Sequence, residues 1–175
     1  MMVLLLGATA VIAVLLMWFF IPGKPLPKDL DSPDALAQAL EYLRNRGIEG
    51  GELRIQARDD TRMTVVVIKH IVESNNIELQ ANVTDEAMRD GAYEAVKAAL
   101  AARGVAYGED DRNGRRTLML RVRGSLAELE VFVQTVMNSG FDKAVSPDCV
   151  AYFRNVLVWN MPNVTGVRGT SDSGK

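Results

Sequence analysis

Three spacings of apolar residues follow one another along this chain, and each predicts a different kind of element. The first is unbroken: VLLLGATAVIAVLLMWFFI (Val3–Ile21) contains no charged residue. As a helix rising 1.5 Å per residue it would span roughly 28 Å, close to the ~30 Å hydrocarbon layer of a bilayer. Val3, Leu4, Leu5, Leu6, Leu15, Leu16 and Ile21 supply its apolar surface, and Trp18, Phe19 and Phe20 sit at one end, where an interfacial aromatic belt lies. A cleaved signal peptide needs a basic stretch before the apolar run and a small-residue cleavage site after it. Here no Lys or Arg precedes Lys24, and Pro22 follows the run. A buried core helix would carry a polar stripe, and this one has none. Residues 1–21 are therefore expected to be an uncleaved membrane anchor.

A linker, residues 22–32, holds Pro22, Pro25 and Pro27, a composition that favours a short extended spacer. Beyond it the second spacing, apolar every three or four residues, alternates with the third, apolar every second residue. Leu36, Leu40 and Leu43 share one helical face over 33–46; Asp31 or Ser32 is placed to cap that helix and Gly47 to end it. GELRIQARDD alternates cleanly and predicts a half-buried strand over 51–58. NIELQANV predicts a strand over 76–83. Met88, Ala92, Val96 and Leu100 predict a helix over 85–103, ended by Gly104. Strands over 105–109 and 116–123 flank Asn113-Gly114, the strongest hairpin-turn signal in the chain. Ser125 caps an expected helix over 125–139 with Leu126, Leu129, Val133 and Val136 on one face, and a strand is expected near 143–154. Residues 161–175 read as a tail.

One segment is ambiguous. In TRMTVVVIKHIVESNN the β-branched run favours a strand, while Arg62, Lys69 and Glu73 line up at helical spacing. An internal repeat bears on it. LRNRGIEGGE (Leu43–Glu52) and LAARGVAYGE (Leu100–Glu109) read almost alike, Leu53–Gln56 answers Leu120–Arg123, and Thr64–Ser74 aligns with Leu129–Ser139, which is plainly helical. On that alignment residues 61–74 are expected to be a helix. The chain then divides into two α-β-β-α-β modules, 33–83 and 84–160, each a two-layer α+β unit; with strand 76–83 counted first, the second reads as the ferredoxin-like β-α-β-β-α-β pattern.

Composition adds limits rather than a chemistry. The chain has 175 residues, 48% of them hydrophobic and 24% charged, an ordinary globular balance. With a formal net charge of −2 and no basic stripe, neither nucleic acid nor a polybasic lipid-binding segment is indicated. Cys149 is the single cysteine and His70 the single histidine, too few for a common zinc site or an internal disulfide. No Walker or GxGxxG motif is present, and Glu109, Asp110 and Asp111 are consecutive rather than spaced as a calcium loop requires. No catalytic residue, cofactor or metal is expected.

AYEAVKAALAARGVAYGEDDRNGRRTLMLRVRGSLAELEVFVQTVMNSGF (Ala92–Phe141) resembles the ring-building motifs of secretion-system and flagellar basal-body proteins: a helix ending in Ala-Arg-Gly-Val-Ala-Tyr, a polar hairpin, and a capped helix ending in Ser-Gly-Phe. The flagellar MS-ring and type III inner-ring proteins have a similar run. The resemblance implies a bacterial inner-membrane protein whose modules pack side by side, do no chemistry, and lie on the periplasmic side. Lys24 and Lys28, the flanking positive charges, instead favour a cytoplasmic soluble part.

The resulting expectation is a single-pass, membrane-anchored assembly subunit acting on protein partners or on copies of itself. A tethered small-molecule sensor and an accessory subunit of a membrane enzyme are the alternatives. Tyr107, Arg121, Arg123, Phe153 and Trp159 are the expected interaction residues, Phe153 and Trp159 because the apolar, β-prone Tyr152–Trp159 run either completes its own sheet or offers an edge to another chain.

Overall fold

The computed structural model describes residues 26–72 and 76–157. The expected anchor Val3–Ile21, Trp159 and the tail 161–175 lie outside them. Among the described residues no helix is long and apolar enough to cross a membrane.

The protein is α+β. Its elements run β1 (Leu26–Asp29), α1 (Ala35–Arg46), β2 (Gly47–Ala57), β3 (Thr64–Val72), β4 (Asn76–Thr84), α2 (Ala92–Ala102), β5 (Gly108–Arg112), β6 (Arg115–Val122), α3 (Ala127–Thr135) and β7 (Cys149–Val156). All seven strands join one antiparallel sheet in the order β1-β7-β2-β3-β4-β6-β5. Alternation along each strand sends one set of side chains to the helices: Leu53 and Ile55 of β2, Val65 and Val67 of β3, Leu79 and Ala81 of β4, Leu118 and Leu120 of β6, Ala151 and Phe153 of β7. They meet Leu36, Leu40 and Leu43 of α1, Val96 and Leu100 of α2, and Leu129, Phe132 and Val133 of α3 in a single continuous core.

Three expectations change. First, residues 61–74 do not form a helix: Thr64–Val72 is a strand, paired with β2 and β4 on its two sides. The β-branched run decides its conformation, and Lys69, whose spacing with Arg62 suggested a helix face, points into the helical layer instead. The first module thus has one helix, and its strands continue directly into those of the second through the β4–β6 pairing. Second, the linker is partly structured: Leu26–Asp29 pairs with β7 at the sheet edge, where the missing N–H of Pro27 is tolerated. Third, the helix expected over 85–103 starts at Ala92, because Gly91 adopts φ 74° and breaks it from the preceding 3-10 turn Asp85–Ala87.

The remaining ends differ in smaller ways. No side chain caps α1; the Ala35 N–H donates to the Ser32 carbonyl at 3.0 Å, and the helix stops at Arg46 as Gly47 predicts. Ser125 Oγ accepts from the Ala127 N–H at 3.2 Å at the start of α3, but that helix passes through Gly140 in a wide turn, Val136–Phe141. The hairpin turn is as read: Asn113 and Gly114 both have positive φ, and β5 pairs with β6 across them.

The expected pair of α-β-β-α-β modules is not what the element order gives; a different unit, β-α-β-β, occurs twice, as β1-α1-β2-β3 and β4-α2-β5-β6. Leu43–Glu52 and Leu100–Glu109 each mark the end of a helix and the entry to the next strand. The equivalence stops there. β6 lies between β4 and β5, whereas the corresponding place between β1 and β2 is taken by β7. Cys149–Val156 is therefore an internal strand of its own sheet and not an edge offered to a partner.

Candidate interaction surface

The side of the sheet away from the helices is open. Among the described residues nothing packs over it, and its side chains are half-buried or exposed, Glu78 excepted. Register places Tyr152, Arg54, Val66, Asn82 and Met119 in one row across five strands, and Arg154, Glu52, Ile68, Gln80 and Arg121 in the next. Val66, Ile68, Met119, Val150 and Tyr152 remain half-buried with no layer above them. Around these apolar positions the polar groups are held in place. Gln80 Nε2 donates to Asn82 Oδ1 at 2.7 Å, Arg54 pairs with Glu52, and Glu78 accepts from Arg123 Nε at 2.7 Å with Arg121 Nε 3.9 Å away.

The sequence-derived contact residues separate on this frame. Arg121 and Arg123 lie on or beside the open face, both on Glu78. Tyr107 packs against the core and Phe153 is inside it, its ring edge-on to Tyr42 with centroids 5.2 Å apart. Phe153 is thus a core residue, corrected from an expected contact residue; its alternation along β7 sends it inward while Tyr152 and Arg154 face out. Val66, Ile68 and Met119 were not singled out from the sequence. The signal was present in the alternation of β3, hidden by reading that segment as a helix.

Two adjoining depressions, of about 260 Å³ and 320 Å³, share Glu86, Arg89 and Asp90 at the far end of the sheet, by the end of β4. Neither is lined by Tyr107, Arg121 or Arg123. Most of their charges are paired: Arg116 with Asp85 at 3.1 Å and Glu94 at 3.3 Å, Arg115 with Glu86, and Arg62 with Asp60 at 2.8 Å. Arg116 also stacks 4.2 Å over the Tyr93 ring. Burial and the neighbouring Glu109 carboxylate push the Tyr93 phenol up to about 12.

Among the described residues no reacting constellation is assembled. His70 is half-buried, 3.5 Å from Glu49, and among the described residues no cluster of three His, Cys, Asp or Glu side chains is placed to hold a metal. Cys149 is fully buried beneath the Ala144 carbonyl, and desolvation raises its thiol to about 12. The thiolate, the reactive species, is thereby suppressed. Native protein is expected to resist iodoacetamide at pH 8 over hours, and to take one adduct within minutes in guanidinium, as read by intact mass. Rapid native labelling would show that β7 opens locally.

Both sheet edges are unsuited to strand addition. β1 is only four residues long and carries Pro27, and β5 is Gly-Glu-Asp-Asp-Arg, a run whose charge resists pairing. The open face is the broader surface. Comparison of the chain with family models, with curated proteins and with solved structures gives no match.

Proposed function

We propose that this protein is a membrane-anchored assembly module, a non-enzymatic subunit that works through protein–protein contacts in an envelope complex. The observation that carries the reading is the open sheet face, with Val66, Ile68, Met119 and Tyr152 partly exposed between fixed polar groups. A core of half-buried apolar side chains rimmed by Arg and paired polar groups has the anatomy of a docking surface. The apolar run Val3–Ile21 supports the anchor. The segment α2-β5-β6-α3 has the helix, hairpin, helix order in which the likeness to ring-building modules resides, so copies of the chain are the partner class to test first. A small-molecule sensor is less well supported, because neither of the two depressions described above is lined by Tyr107, Arg121 or Arg123.

The test is the mass of the full-length protein in mild detergent by light scattering. A defined homo-oligomer is expected, and Ile68→Glu together with Val66→Glu should weaken it by roughly 30-fold or more, the effect of losing a central apolar contact. A monomer at all concentrations, unchanged by either substitution, would rule out self-assembly through this face.

A further inference from the structure

The two ends of the sheet differ in character. At one end lie the last turn of α1 with Arg44 and Arg46, the end of α2 with Arg103, the end of β6 with Arg121 and Arg123, and Arg154 near the end of β7. Of the described acids there, Glu78 is buried under Arg121 and Arg123 and Glu52, opposite Arg154, pairs with Arg54, leaving Glu49 and Glu128 exposed. The same end holds the described chain's exposed large apolar side chains: Ile48 (48% exposed), Ile71 (45%) and Leu157 (51%). They are neighbours, since Gly47 pairs with Val156, the Leu157 N–H donates to Arg46, and Glu49 accepts from the Ile71 N–H. The opposite end carries an excess of acids, with Asp29, Asp31, Asp59, Asp60, Asp85 and Asp90 among its turns and most of its basic side chains, Arg58, Arg62, Arg116 and Lys143 among them, paired to these acids.

Chain direction connects this polarity to the N-terminal segment. β1 begins at Leu26, opposite Phe153, and runs away from the basic end. Four residues separate Ile21 from Leu26, five steps along the chain and a reach of at most roughly 18 Å even fully extended. With Val3–Ile21 in a bilayer, the direction of β1 points that short tether toward the basic, apolar end.

We propose that this end is a membrane-contact surface for anionic lipid. Ile48, Ile71 and Leu157 enter the headgroup layer while Arg44, Arg46, Arg103 and Arg154 meet lipid phosphates, which fixes the domain upright with its acidic end outward. Arg side chains suit this role because the guanidinium binds phosphate in a bidentate fork. The proposal rests on the anchor reading, and the experiment separates the two.

Full-length protein is reconstituted into vesicles of phosphatidylcholine with or without phosphatidylglycerol, carrying headgroup-level nitroxide lipid. An environment-sensitive fluorophore is attached to Ile48→Cys, Leu157→Cys or, at the far end, Arg112→Cys; the buried Cys149 thiol stays unlabelled under native conditions. Fluorophores at Ile48 and Leu157 should be blue-shifted and quenched, and Arg112 should not. Arg46→Glu with Arg154→Glu should shift the orienting equilibrium by roughly 10-fold or more in the anionic vesicles, with a smaller change in neutral ones. Equal quenching at both ends in protein that still floats with vesicles through alkaline carbonate would overturn the orientation and leave the anchor intact. Protein stripped from vesicles by carbonate would overturn the anchor itself. A blue shift at Ile48 that persists in detergent and grows with protein concentration would assign this end to a second copy and overturn the lipid contact.

Discussion

Phe153→Ala is expected to destabilise the folded domain by about 3–5 kcal/mol, the usual result of truncating a fully buried aromatic ring. Phe153 is 2% exposed, near the middle of β7, and its partner Tyr42 both packs against it edge-on and donates its hydroxyl to the Leu157 carbonyl at 2.6 Å. The ring therefore joins α1 to the strand that lies between β1 and β2. For a domain of this size the loss should lower the melting temperature by roughly 10–20 °C. Phe153→Leu, which keeps most of the volume, should lose far less, on the order of 1 kcal/mol. A contact residue on the surface would behave in the opposite way, with little change in melting and weakened association. Thermal unfolding of the two variants, read beside their mass in detergent, distinguishes these outcomes: an unchanged melting temperature for Phe153→Ala would contradict the burial.

Lys69→Glu is the second substitution expected to have a large effect. Lys69 is 4% exposed, and its ammonium reaches under the end of α1 to donate to the Arg44 carbonyl at 2.5 Å and the Gly47 carbonyl at 2.7 Å. These are carbonyls that the helix leaves without partners, and the cation sits at the negative end of the helix dipole. Burial holds its pKa below the ordinary lysine value. A carboxylate in its place would bury a negative charge against carbonyl oxygens, at a cost of about 3–5 kcal/mol. Lys69→Met, which removes the donor but keeps the aliphatic packing, should cost about 1–3 kcal/mol for two carbonyls left unsatisfied. Denaturant unfolding of the three proteins should give the order wild type, Met, Glu. A Glu variant as stable as the Met variant would show that the site admits water. Gly47 belongs to the same junction: a Cβ there would stand 2.5 Å from the Leu43 carbonyl oxygen and 3.1 Å from Lys69 Cδ, so the helix end and the lysine approach more closely than any other residue allows.

Local signals in the chain were read correctly where local chemistry decides the structure. Gly47 ends α1, Asn113-Gly114 turns β5 into β6, and the alternation of Leu53, Ile55 and Ala57 lies on the buried side of β2. Reading failed where the deciding contacts are remote. Thr64–Val72 carries residues at helical spacing, and only its pairing with β2 and β4 makes Lys69 an inward residue that caps a helix twenty-five positions earlier. Phe153 and Tyr107 look alike as aromatic residues in β-prone stretches; which face each takes depends on register with strands from elsewhere in the chain. The open face escaped notice for the same reason, since it exists only once seven strands are placed side by side. Neither the place of β7 nor its separation from β6 by three other strands has any local signature.

That place of β7 has a temporal consequence. During synthesis the N-terminal strand β1 emerges early, yet its one pairing partner is the last strand of the sheet. Until Cys149–Val156 leaves the ribosome, β1 has no neighbour and one side of β2 is bare. The remaining strands can meanwhile pair as a five-stranded piece. Closure of the domain must therefore wait for β7, and it spans the largest sequence separation among the paired strands.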